Sequence, residues 1–241
     1  MIRQWTYLTG EELRKLFRGS KLIVLLLLSF FIGVLFVLIG GYLGLDGNVS
    51  LIALKMMLAV LLPLFMASLG SELMVTEWKD GTIKNALKLP LSREMIYLGK
   101  LSAGWTAGAL IVLSVFIPTF LGGLLLGGMP SPSAIGATVA TYASAVVFCG
   151  LLLILSNSVS LWAGSSGVGL VACVLIWMGM SFVGLFEPEY SRFFVTGYAD
   201  WLQPLLRGGD AGTSLSMLLF MTAYYIIGTI LGMLAFQRKE I

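Results

Sequence analysis

The chain has 241 residues, of which 58% are hydrophobic and 11% charged, with a net charge of +3. Soluble domains carry about 45–50% apolar and roughly 25% charged residues, so the charges here are too few to wet a soluble globule, and a disordered or disulfide-rich secreted class does not fit either. The chain takes lipid as its solvent. There is no histidine, which removes His-based triads and the commonest metal ligand. Cys149 and Cys173 each lie inside an apolar run and read as small packing residues, not as a disulfide or metal framework.

In residues 1–21, Trp5, Leu8, Leu13, Leu16 and Phe17 form an apolar stripe beside Arg14, Lys15 and Arg18. This predicts an amphipathic helix lying on the inner membrane face. The apolar run that follows is longer than the 7–15 or so residues of a signal-peptide core. A crossing helix needs about 20 mostly apolar residues, and runs of that kind fall at about 22–45, 51–75 and 101–128. The stretch 134–186 is too long for one crossing and contains a polar, small-residue interruption from Ser156 to Gly167. Read as a turn, it gives spans at about 134–155 and 167–186. A sixth span covers 213–236, so the expected fold is an all-α, six-span integral membrane protein forming a single transmembrane domain, 1–241.

Cations set the topology. Arg3, Arg14, Lys15, Arg18 and Lys21 precede the first span, Lys79, Lys84, Lys88, Arg93 and Lys100 lie between the second and third, and Arg238 and Lys239 follow the last. If six spans alternate, these all share one side, and Lys55, Arg192 and Arg207 take the other. Both termini are therefore expected in the cytoplasm of a multi-pass cell-membrane protein. The positive charge is then a topology signal and not a nucleic-acid footprint.

The connection from Thr76 to Gly99 carries its own signals. Asp80-Gly81 is a turn pair, Thr82 suits a helix N-cap, and Pro90 ends the short helix that would follow. Ser92 is placed to cap the next helix, which runs through Lys100 into the third span. The result is a short crosswise helix with Ile83, Ala86 and Leu87 on one face and Lys84, Asn85 and Lys88 on the rest. Its chemistry suits a helix resting on anionic lipid and equally a peg for a soluble partner.

The segment from Glu77 to Lys100, with Gly81-Thr82, Leu87, Pro90, Ser92-Arg93 and Gly99-Lys100, resembles the corresponding segment of type 2 ATP-binding-cassette (ABC) transporter permeases. The likeness is nearest to small bacterial permeases of peptide-antibiotic (lantibiotic- or bacitracin-type) export and self-protection. The resemblance implies that Thr82–Leu89 is a coupling helix seated in a groove of a separate ATPase. Glu77, Thr82, Ile83, Lys84, Leu87, Lys88, Arg93 and Lys100 would then form the docking set. It also implies two permease subunits, identical or related, and two ATPase subunits. ATP and Mg would bind in those partners, with no cofactor on this chain. In such exporters the region before the last span helps close the exit, which assigns Phe193, Phe194, Tyr198 and Trp201 to an outer lid. A peptide antibiotic is the cargo that the resemblance suggests.

The motor is not encoded in these residues. A phosphate-cradling loop needs G-x-x-x-x-G-K-[ST], but Gly99-Lys100 is followed by Leu101 and preceded at the first glycine position by Glu94. Intramembrane catalysis requires converging ionisable groups, and Lys55 and Glu72 are isolated along the second span. Transport without its own ATPase site is the expected role. A secondary transporter or channel, or a sensory or structural membrane subunit, is the alternative. The former would need polar groups at mid-membrane, often in broken helices with internal repeats, and no convincing repeat is present.

Overall fold

A computed structural model describes residues 2–44, 49–81, 92–128, 131–186, 193–199, 201, 202, 206 and 211–238. Among these residues there is no strand, and six helical stretches are long and apolar enough to cross a membrane. The protein is an all-α integral membrane protein.

Helix α1 (Ile2–Arg18) precedes the first span. The chain turns at Gly19 and Ser20, the latter left-handed at φ 60°, and enters α2 (Lys21–Leu43). Gly44, at φ 64°, ends α2 by donating its N–H to the Gly40 carbonyl, a left-handed cap that glycine adopts without a Cβ clash.

The second span is built from pieces: α3 (Val49–Met56), a π-helical turn (Met57–Leu61), α4 (Leu62–Glu72) and α5 (Val75–Lys79). Pro63 explains the first break. It has no N–H, so an unbroken α-helix would leave the Ala59 carbonyl without its donor. The backbone instead widens into the π turn, with the Leu62 N–H reaching the Met57 carbonyl.

The third span, α6 (Arg93–Gly127), starts as its sequence suggests, with Ser92 Oγ accepting from the Met95 N–H at 3.2 Å. Helix α7 (Pro132–Ala163) starts likewise, Ser131 Oγ accepting from the Ala134 N–H at 3.3 Å. Helix α8 (Ser166–Phe186), one 3-10 turn (Val195–Tyr198) and α9 (Ala211–Arg238) complete the chain.

The chain turns within the expected interruption Ser156–Gly167, but only towards its far end. Helix α7 runs unbroken to Ala163, and the chain reverses at Gly164, with φ 68°. The polar residues at the start of this run, Ser156, Asn157, Ser158 and Ser160, are buried inside the bundle on α7. Ser158 Oγ bonds back to the Ile154 carbonyl at 2.8 Å and also meets the Gly228 carbonyl at 2.7 Å. Ser156 Oγ meets the Met66 carbonyl at 3.1 Å, and Asn157 Nδ2 donates to the Tyr97 hydroxyl at 3.4 Å. In lipid a small hydroxyl satisfied by helix carbonyls breaks nothing and joins neighbours. This stretch ties α4, α6, α7 and α9 together.

Helix α7 and the second span form the centre, whereas α8 is almost wholly exposed. Helix α2 lies along α6 through close approaches. A Cβ at Gly33 would meet Pro118 Cγ at 2.7 Å, and one at Gly122 would strike Val37. One end of the bundle gathers Lys21, Lys79, Arg93 and Arg238 and is called here the basic end. At the other end Ser50, Thr119 and Tyr142 form a buried hydroxyl cluster, with the Tyr142 hydroxyl donating to the Ser50 carbonyl at 2.9 Å.

Candidate functional site

The basic end holds the two roots of the connection between the second and third spans. Glu77 stands on α5, before it, and Lys100 on α6, after it. Lys100 is fully buried, at 0% exposure. A buried ammonium survives only when carboxylates replace its water. Here Nζ donates to Glu77 Oε1 at 2.8 Å and to Glu12 Oε2 at 2.8 Å. The second carboxylate comes from α1, which approaches because Gly99 leaves room for Leu8; a Cβ at Gly99 would sit 2.5 Å from Leu8 Cδ2. Beside it, the Thr9 and Ser102 hydroxyls meet at 2.8 Å.

Lys15 completes a four-membered network, 2.8 Å from Glu12 Oε1 and 3.6 Å from Glu77 Oε1. Burial pushes the Glu12 carboxyl up, but the charges and hydrogen bonds of Lys100 and Lys15 outweigh it, and its pKa lies below the ordinary 4.5. Desolvation pulls the Lys15 ammonium down, but Glu12 and Glu77 outweigh that, and its pKa lies above 10.5. Both groups are held in their charged forms. Removing one partner of a buried pair costs about 3–5 kcal/mol, because the other charge is left uncompensated.

Weaker links radiate from this hub. Lys21 pairs with Glu72 at 2.6 Å, joining α2 to α4. Lys79 Nζ donates to Ser165 Oγ at 3.2 Å, reaching the turn between α7 and α8. Arg93 Nη1 donates to the Gln237 carbonyl at 3.3 Å near the end of α9. The last two are exposed, and exposed links of this kind contribute about 0–1 kcal/mol.

Of the expected docking set, Glu77 and Lys100 come together, and Arg93, at the start of α6, stands apart and reaches the end of α9. The Lys100 ammonium is sealed inside the chain by the two carboxylates of Glu12 and Glu77. Thr82, Ile83, Lys84, Leu87 and Lys88 lie outside the described residues. Glu12 is the member that sequence reasoning missed. Its signal is a carboxylate at helical spacing between Leu8 and Leu16, on the face that turns inward. Glu72 finds its cation in Lys21, and Lys55 is exposed on α3.

At the opposite end the aromatic segment is anchored on two helices. Tyr198 is buried and stacks on Phe220 of α9, with centroids 6.1 Å apart. The Tyr224 hydroxyl donates to the Phe193 carbonyl at 2.5 Å, and Trp201 Nε1 donates to the Ser144 carbonyl at 3.4 Å. Phe193 is 53% exposed, and Phe194 is half-buried.

Between the two ends, the π turn and α8 enclose an apolar cleft of about 340 Å³, lined by Val60, Pro63, Cys173, Trp177, Met178 and Phe182 among others. It has the size of a small-molecule site.

A family model described as ABC-2 family transporter protein matches residues 12–184, from within α1 to near the end of α8. The chain belongs to the ABC-2 transporter family. Membership makes it a membrane transport subunit that is not itself an ATPase, and implies an ATPase partner. No curated protein matches the chain. The matched region of this ABC-2 permease contains the whole charge network, from Glu12 to Lys100.

Proposed function

We propose that this chain is the permease subunit of an ATP-driven exporter, with both termini in the cytoplasm. Residues Thr82–Leu89 would seat in a groove of the ATPase, with Ile83 and Leu87 as the apolar contacts and Thr82, Lys84, Lys88, Glu77 and Arg93 around them. Two permease and two ATPase subunits would make the complex, and ATP with Mg would act in the ATPase alone. The observation that carries this reading is the ion pair between Glu77 and Lys100. It clamps the two roots of the connection against α1, so a push on the connection reaches the spans without being absorbed by its ends.

The cargo is amphipathic or hydrophobic, a peptide antibiotic being the first candidate. The apolar cleft beside Pro63 suits such a molecule, since its walls offer shape and dispersion but no charge. Phe193, Phe194, Tyr198 and Trp201 would close the outer exit.

The test is co-purification with the cognate ATPase, followed by ATP turnover against a panel of peptides and amphipathic drugs. Ile83→Asp and Leu87→Asp should each release the ATPase and abolish transport. Retention of the ATPase with transport intact in both variants would refute the docking assignment.

A further inference from the structure

At the basic end, α1, α2, α4 and α5 enclose a groove of about 200 Å³, room for a small polar group and not merely for one water. One wall carries the Lys15 ammonium with Glu12 and Glu77, and the other carries Lys21 with Glu72. Leu16, Leu22 and Leu69 add an apolar lining. With Lys100 buried behind Glu12 and Glu77, three ammoniums stand against three carboxylates. The groove is thus neutral as a whole and strongly polar in detail. A simple anion meets the carboxylates here and a metal cation meets the ammoniums, whereas a ligand with both charges finds a partner for each. The side chains of Lys15 and Glu72 are 58% and 46% exposed. An ammonium has three donors and a carboxylate about four acceptor sites, so both can take a further partner.

Depth selects among zwitterions. Lys21 is the first residue of α2 and Glu72 the last of α4, and no charge follows in residues 22–43 or precedes in residues 56–71. The groove therefore lies where hydrocarbon gives way to water, at the level of lipid headgroups. Val24 and Leu28 stand three and seven residues on from Lys21, on its side of α2, and both are exposed. They offer an apolar strip running from the groove into the bilayer.

We infer that this groove binds the headgroup of a phosphatidylethanolamine, its phosphate on the Lys15 and Lys21 ammoniums, its amine on Glu72, and its acyl chains along Val24 and Leu28. The two ends of the headgroup make charge-assisted hydrogen bonds of opposite sense. A phosphatidylcholine head has no N–H to give Glu72, and a phosphatidylglycerol head brings the negative charge alone. Such a site stands whether or not the chain exports, and it gives the junction of α1 and α2 a specific lipid partner.

The test uses the full chain in dodecyl maltoside micelles holding equal amounts of phosphatidylethanolamine, phosphatidylcholine and phosphatidylglycerol. Native mass spectrometry should find phosphatidylethanolamine retained about tenfold over either competitor, and its addition should raise the thermal midpoint more than theirs. Lys21→Gln with Glu72→Gln removes both charges of one wall together and should bring the retention ratio to about one. Arg14→Gln with Glu11→Gln, at an exposed ion pair outside the groove lining, should leave the preference intact. Glycerophosphoethanolamine, the head without chains, should not displace the lipid at equal concentration. A phosphatidylethanolamine with a diazirine near the head of one acyl chain should label residues 21–28, in competition with the unlabelled lipid and not with phosphatidylglycerol.

Equal retention of the three lipids, a preference for either competitor, or a preference that survives in the Lys21→Gln, Glu72→Gln variant overturns the site. Displacement by glycerophosphoethanolamine at equal concentration overturns the lipid in favour of a soluble phosphoamine. Should the double variant not fold, the photolabel decides. Labelling that misses residues 21–28, or that phosphatidylglycerol competes equally, overturns the proposal.

Discussion

Trp177 on α8 donates its indole N–H to the carbonyl of Ala59, 3.2 Å away. That carbonyl is the one an α-helix would have bonded to the N–H that Pro63 lacks. In hydrocarbon an unsatisfied carbonyl has no water to turn to, so a side chain from a neighbouring span supplies the donor. Trp177→Phe keeps most of the ring and removes the donor. We expect it to destabilise the protein in detergent by about 0.5–2 kcal/mol, the range of hydrogen bonds between membrane helices. Pro63→Ala restores a backbone donor, so Trp177→Phe should be milder in that background. Strictly additive unfolding midpoints would show that the two residues do not share the carbonyl.

Lys100→Met leaves Glu12 and Glu77 facing each other in the space the ammonium filled. The loss should be about 3–5 kcal/mol, read as a fall in thermal midpoint or in folded yield. The triple variant Lys100→Met, Glu12→Gln, Glu77→Gln removes the buried charges together and should recover much of that loss. If the triple variant is no better than Lys100→Met, the loss comes from packing and not from stranded charge.

The layout of the fold was legible because lipid imposes long apolar runs, and the cap at Ser92 was legible because a serine before a helical pattern is a local signal. The charge network was half legible. Glu77 and Lys100 sit in a segment whose chemistry marks it out, but their meeting with Glu12 depends on α1 folding back across 88 positions, which periodicity does not encode. The polar run from Ser156 marked the reversal but not where it begins, because serine and asparagine look alike in a turn and in a helix whose neighbours satisfy them.

Glycine shows the same limit. Spacing singles out pairs such as Gly104 and Gly108, Gly123 and Gly127, or Gly228 and Gly232, and passes over Gly70. Yet a Cβ at Gly70 would strike Ser156 Oγ and lie 3.1 Å from both the Asn157 nitrogen and the Leu153 carbonyl oxygen of α7. Backbone cannot step aside as a side chain can. Gly70→Ala should therefore destabilise the protein, whereas Gly136→Ala, with nothing within 4 Å, should be neutral or stabilise by about 0.5–1 kcal/mol through helix propensity. Equal midpoints for the two variants would deny the close approach of α4 and α7.

For the proposed lid, the anchors predict an order of effects. Tyr198→Ala removes a buried ring stacked on Phe220, and Trp201→Ala removes the donor to the Ser144 carbonyl. Both should lower export more than Phe193→Ala, whose ring is mostly exposed. Vesicle uptake assays on the four single alanine variants, with Phe194→Ala as the fourth, test this. Unchanged export in all four would remove the lid.

The charge network also sets a pH window. Glu12 titrates below its ordinary 4.5, so its contribution to stability is complete above 4.5 and is lost as pH falls through the lower folded value. Lys15 titrates above its ordinary 10.5, so its contribution is complete below 10.5 and is lost as pH rises through the higher folded value. Between those limits Glu12 and Lys15 both keep their charges, and their share in the attachment of α1 to α6 should not vary with pH. Thermal midpoints in detergent should be flat across that interval and fall in acid. Glu12→Gln, which has no proton to take up at that position, should lower the plateau and flatten the acid limb. An acid limb of the same slope in wild type and Glu12→Gln would assign the titration to other carboxylates and detach α1 from the buried pair.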